Sequence, residues 1–249
     1  MLKVATRLNL PILKTAWLAL LISCLVILAL GQFTSIDLAI EDYYYDNSLK
    51  FFPWEKSWFA KDLMHGYVKN VIIKSGYLLY LFVLLDIIFS WQWLSPFIRI
   101  RLRFVAVASF FVPFIVRGIQ QFWVLHCPWN VDRYGGTEPF LRLLDFAPSG
   151  IKISHCFPAG HATVGLWLAS LCIFWLPDNP KVARRVFFSG LGMGLFMGWV
   201  QQMRGAHFLF HTLWSAWFAS LIIVFMLQLI STIWSKDYKN GKYQPISTI

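Results

Sequence analysis

Two short stretches hold most of the side chains in this chain that could do chemistry: CFPAGHATVGL at 156–166 and QQMRGAHFLFH at 201–211. Histidine transfers protons and attacks electrophiles near neutral pH, so His161, His207 and His211 are the first candidates. If 201–213 is helical, His207 and His211 lie at i and i+4 on one face, with Arg204 on an adjacent part of it. A nucleophilic imidazole needs its far nitrogen held by an acceptor, and His211 stands where such a partner would be. The planar fork of Arg204 suits bidentate contact with an oxyanion such as phosphate. In the other stretch a Pro-Ala-Gly turn leads into an apolar run and places His161 in the first helical turn. The N–H groups freed there, with Gly160 permitting close backbone approach, make an anion cradle. His161 could then protonate a leaving oxygen. Zinc is the competing chemistry for H-x3-H on a helix. No glutamate sits between these histidines and few acids lie nearby, so no metal is expected.

The elements that must position these residues are membrane-like. Of 249 residues 58% are hydrophobic and 14% charged, too little polar surface for a soluble domain of this length. Several apolar runs reach the ~18–20 residues that span a hydrocarbon core. Six spans are expected, at about 13–33, 70–89, 104–125, 161–177, 187–203 and 209–232, in one all-α membrane domain. The first run is too long for a cleavable leader and is taken as an uncleaved helix. The net charge of +10 falls mainly in four segments on one side. These hold Lys3, Arg7 and Lys14; Arg99, Arg101 and Arg103; Lys181, Arg184 and Arg185; and Lys236, Lys239 and Lys242. That is the positive-inside pattern, so the basic excess is a topology signal rather than a nucleic-acid footprint.

The opposite side holds all six histidines (His65, His126, His155, His161, His207, His211) and the segment 34–69, which mixes acids with aromatic residues. That segment either lies in the headgroup layer or covers a site. Cys127 and Cys156 share the outward loop 126–160 and are disulfide candidates if that side is oxidising. A short polar tail runs from 235 to 249.

FPAGH (157–161) and GAHFLFH (205–211) resemble the second and third motifs of the type 2 phosphatidic acid phosphatase (PAP2) family, whose patterns are PSGH and SR-x5-H-x3-D. The resemblance covers about residues 105–230 and implies a six-helix, metal-independent lipid phosphatase with no cofactor. It implies that His207 forms a phosphohistidine, that His161 protonates the leaving group, and that the Gly160 backbone contacts phosphate. His211 takes the place of the family's aspartate, and Ala159 that of its serine. The third-motif arginine position is Gln201. The lysine and arginine of the first motif, K-x6-RP, fall on Gln120 and Cys127. Arg204 and Arg117 each lie three residues from the vacated positions, about one helical turn. The expectation is a shifted cradle of Arg204, Arg117 and Arg133, with Gln201 beside it; Lys152 is a further candidate.

The resemblance implies a membrane lipid phosphate as substrate and partner. Lipid A, undecaprenyl pyrophosphate and phosphatidylglycerol phosphate remain open. The expected location is a bacterial inner membrane with the site facing the periplasm. Phosphotransfer to a second lipid, and a non-catalytic lipid-phosphate binder or transporter, are the alternatives.

Overall fold

The computed structural model describes residues 11–239, with side chains over 12–232. Lys3, Arg7, Lys242 and the tail beyond Lys239 lie outside the described residues. Among the described residues seven α-helices follow one another: α1 Pro11–Phe33, α2 Ile36–Tyr44, α3 Lys69–Phe89, α4 Pro96–Gln120, α5 Gly160–Leu166, α6 Pro180–Met203 and α7 Leu209–Lys239. A π-helix over Trp58–Val68 runs directly into α3, and a 3-10 helix over Trp167–Trp175 continues α5. Among the described residues strand pairing is limited to two isolated bridges.

Among the described residues four helices are long and apolar enough to cross a membrane: Ile12–Phe33, Trp58–Phe89, Pro96–Gln120 and Leu209–Thr232. They cover four of the six expected spans, with two shifts. The second begins at Trp58 rather than 70, because the π-helix carries the helical path back through the segment taken as interfacial. The third runs over 96–120 rather than 104–125, because its three arginines are inside the helix. Ser95 caps its start by accepting from the Ile98 N–H at 3.3 Å. Arg99 pairs with Asp86 of α3 at 2.9 Å and Arg103 with the same carboxylate at 3.3 Å. Arg101 is buried; it donates to the Ile173 carbonyl at 2.9 Å and to that of Leu176, satisfying the end of the 3-10 segment.

The other two expected spans are the 160–175 segment and α6. α5 has 7 residues and its 3-10 continuation 9. With rises of about 1.5 and about 2.0 Å per residue, the pair reaches about 28 Å, close to a hydrocarbon core. The 24 residues of α6 are long enough, but basic first turns, four glycines and two glutamines make it less apolar.

The 160–175 segment is the centre of the bundle, with Leu166, Ala169 and Ile173 buried against α4, α6 and α7. Glycines set its distance from α6. A Cβ on Gly190 would meet the Ala169 backbone at 2.3 Å, and one on Gly165 would meet the Gly194 backbone at 2.8 Å. By contrast α1 and α3 turn large side chains outward, among them Leu21, Leu25, Leu81 and Ile88, as helices facing lipid do.

Segment 34–69 packs over the loop between α6 and α7. Phe52 is buried with Tyr45, Tyr134 and Phe208, and a Cβ on Gly205 would strike its ring at 2.3 Å. Gly205 also has φ +70°, a left-handed conformation that a side chain disfavours. Asp37 of α2 accepts from the Phe210 N–H at 3.1 Å and so caps the start of α7. Burial pushes its carboxyl up to about 7 against the Phe210 and Leu209 N–H groups and the Arg142 charge. One turn on, Glu41 is fully buried, and burial with the neighbouring Asp37 charge holds it well above the usual carboxylate range.

Candidate active site

The α6–α7 loop exists because Gly205 turns the chain left-handed after Arg204, while the Gly205 and Ala206 N–H groups return to Gln202 and Gln201 carbonyls, each at 2.9 Å. This turn delivers Arg204 and His207 beside the start of α5. His161 Nδ1 lies 3.1 Å from His207 Nε2. On its other side, His161 Nε2 lies 3.1 Å from His65 Nε2. Lys69, one turn after His65, brings its Nζ to 3.4 Å from the same His65 nitrogen. His211 follows His207 with ring centroids 6.2 Å apart. Four of the six histidines thus form one array. His126 instead faces Glu138 at 3.6 Å, and His155 is exposed on the loop.

His207 and His211 are both buried, and the Nδ1 of each has no formed hydrogen bond. The Cys156 carbonyl lies toward both rings without completing a bond to either. Burial holds His207 down at about 3, reinforced by His211 and opposed by the Cys156 carbonyl. His207 is therefore neutral near pH 7, and its Nε2 carries a lone pair for attack when the ring proton is on Nδ1.

Cys156 is joined to Cys127 with Cα atoms 5.4 Å apart, so its carbonyl is anchored to the start of the α4–α5 loop. The Ala159 N–H donates to the His211 carbonyl at 3.0 Å, and Ser215 Oγ donates to the Ala159 carbonyl at 3.0 Å. These bonds fasten the FPAGH turn to α7. Gln120, at the first-motif lysine position, donates to the Pro158 carbonyl. Its amide lies 3.1 Å from where a Gly160 Cβ would be. In this chain that position is a tether for the turn, and Gly160 gives the tether room. No side chain caps α5 at Ala159, where the family motif has serine.

The expected cradle separates. Arg204 is half-buried at the array and donates to Gln201 Oε1 at 2.9 Å. Its charge reaches His161, His65 and Lys69. Arg117, exposed at the end of α4, also acts on Lys69. Arg133 is not brought to the array. It forks onto Asp42 at 2.7 and 2.6 Å, a bidentate pair that fastens the loop to α2. Lys152 is exposed on the loop.

His65 and Lys69 are the site residues that motif reading missed. Their only sequence signal is i, i+4 spacing on the outward side, before the second apolar run. No single metal ion can be shared by His65, His161 and His207, because His161 meets its two neighbours through nitrogens on opposite sides of its ring. What the array offers is a neutral nucleophile, a proton carrier in contact with it, and cations at one edge. That combination suits phosphoryl transfer.

No curated protein and no solved structure matches the chain. The family model described as PAP2 superfamily matches residues 101–235, which spans α4 to α7 and includes His161, Arg204, His207 and His211. With its apolar helices and that match over more than half its length, the chain is a membrane protein belonging to the PAP2 superfamily.

Proposed function

We propose that the chain removes phosphate from a lipid phosphate or pyrophosphate by way of a phosphohistidine. The family's phosphatase chemistry on phosphate esters is the frame, and the His161–His207 contact of 3.1 Å is the observation that carries it. His207 Nε2 attacks phosphorus and the P–O bond to the lipid breaks, with the proton of His161 passing to the leaving oxygen. Water then attacks the phosphohistidine, gives its proton to His161, and phosphate departs. In a reactive complex the attacking and receiving atoms stand about 3–3.5 Å apart. The phosphoryl group therefore enters between His161 and His207 and parts them.

A lipid substrate fits an array placed at the ends of apolar helices, where a headgroup reaches it while the acyl chains stay among the exposed apolar side chains of the bundle. An oxidising, periplasm-like side for the array fits the Cys127–Cys156 disulfide. Six crossings fit the ~28 Å reach of the 160–175 segment and the length of α6.

The test is phosphate release by the purified chain in detergent, with chelator present. The lipids are phosphatidic acid, phosphatidylglycerol phosphate, undecaprenyl pyrophosphate and lipid A, beside a His207→Ala control. Release from one or more of them that the control loses supports the reading. Release that survives in the control, or that chelator removes, overturns it. Lipid binding without release from any of the four would instead indicate a binder.

A further inference from the structure

The positions at which the family pattern carries a lysine and an arginine are Gln120 and Cys127, and both are spent on structure. Gln120 holds the Pro158 carbonyl and Cys127 is in the disulfide. Lys69 lies outside the matched 101–235 region, yet its Nζ reaches the array at 3.4 Å from His65. Arg204 and Arg117 both act on the charge of Lys69, and the acid Glu55 acts on Arg204. Gathering like charges beside an apolar bundle is costly unless an anion sits among them. A π-helix at this point adds to the case, since such wide turns inside helices collect at functional sites.

The hydrogen-bond valences of the array show what that anion would do. A lysine ammonium only donates, so His65 Nε2 is the acceptor toward Lys69. His161 Nε2 must then donate to His65. If His161 is neutral, its Nδ1 is an acceptor, and His207 must place its own proton on Nε2. That tautomer has no lone pair with which to attack, and it turns a bare His207 Nδ1 toward the Cys156 carbonyl. With both protons on His161 no donor faces a donor: His161 donates to His207 and, sharing the single His65 Nε2 lone pair with Lys69, to His65, while His207 Nδ1–H faces Cys156. A phosphate held by Lys69 and Arg204 would offset their charges at His161 and so work against the burial that otherwise disfavours this proton-loaded form.

We propose that Lys69 is a phosphate-binding residue of this site and that His65 is a positioning residue for His161, so that the cation missing at Gln120 is supplied from the π-helix–α3 junction. This rests on the phosphatase reading for its catalytic consequence but not for its binding one.

The test measures binding of inorganic phosphate by calorimetry, and phosphate release from phosphatidic acid, on wild type, Lys69→Met, Lys69→Arg and His65→Phe. Lys69→Met is expected to weaken inorganic phosphate binding about 10- to 100-fold, the range for losing a charged hydrogen bond, with Lys69→Arg restoring most of it. His65→Phe is expected to leave that binding within about threefold and to move the acidic limb of the rate–pH profile, which a merely structural role would not do. Unchanged phosphate binding in Lys69→Met, with a folded melting curve, overturns the Lys69 assignment. An unmoved pH profile in His65→Phe overturns the His65 role. If wild type binds phosphate through Lys69 but hydrolyses nothing, the Lys69 assignment stands and the phosphatase reading and the His65 role fall. If wild type releases phosphate and Lys69→Met matches it in both assays, the phosphatase reading stands and the Lys69 assignment falls.

Discussion

His161 Nδ1 and His207 Nε2 face each other at 3.1 Å, so the two groups assigned to proton donation and to attack are in direct contact, with no gap for phosphorus between them. Replacing His161 with alanine removes the proton donor and leaves the nucleophile. Steady-state phosphate release should fall about 10²- to 10⁴-fold, the usual worth of a positioned acid–base group. Water activation should fall too, so an acid-labile, base-stable phosphoprotein should accumulate from 32P-labelled lipid phosphate. The same labelling of His207→Ala should show none.

Two arginines distinguish the array from its surroundings. Arg204→Ala removes a cation beside His161 and should lower kcat/KM at least about 100-fold, the scale of one transition-state donor. Arg133→Ala breaks an exposed pair with Asp42 and should cost about 0–1 kcal/mol of stability with little change in rate. Assaying both variants on one lipid phosphate, with melting curves alongside, checks the contrast.

Asp37 makes stability depend on pH in a stated direction. Its carboxyl is raised from 3.8 to about 7, so between those values the folded chain binds more protons than the unfolded one. That stability is fully present below about pH 4 and is lost as pH rises through about 7. His207 runs the other way: lowered from 6.5 to about 3, it costs stability as pH falls through that interval. Asp37→Asn stays neutral and keeps an acceptor for the Phe210 N–H. Relative to wild type, its melting temperature in detergent should rise progressively between pH 4 and 7. A wild-type and variant difference independent of pH would show that Asp37 does not titrate in this window.

The disulfide ties stability to activity. Closing a loop of this size contributes about 2–4 kcal/mol, and here one of its cysteines presents its carbonyl to both buried histidines. Cys127→Ser should lower the melting temperature and the phosphate-release rate together. Dithiothreitol should reproduce both losses in wild type and add nothing to the variant, as melting and release assays with and without reductant would show.

Much of this was legible in the chain itself, for different reasons at different residues. His161, His207 and Arg204 sit in short motifs whose local geometry is set by a few neighbours, and long apolar runs announce helices. Arg101 misled, because three arginines between apolar runs look like a loop until the carbonyls of Ile173 and Leu176 are seen to need a donor. Arg133 misled for a related reason: its partner Asp42 lies far back in the sequence, and only the folded loop brings the two together. Lys69 and His65 were hidden because a π-helix has no compositional signature, and the segment holding them resembles any aromatic-rich interfacial stretch.

The glycine seam between the central segment and α6 bears on how a substrate enters. Gly165 and Gly190 bring backbones so close that a single methyl would collide, which leaves these two helices no slack for sliding. The FPAGH turn that opens the central segment is bolted to α7 as well, through Ala159 and Ser215. His161 and His207 thus stand on a stationary jaw. The π-helix presses Ala60 and Met64 into the same buried core and meets His161 through His65. Room for phosphorus between His161 and His207 must therefore come from rotation of the two side chains, not from movement of the helices that carry them.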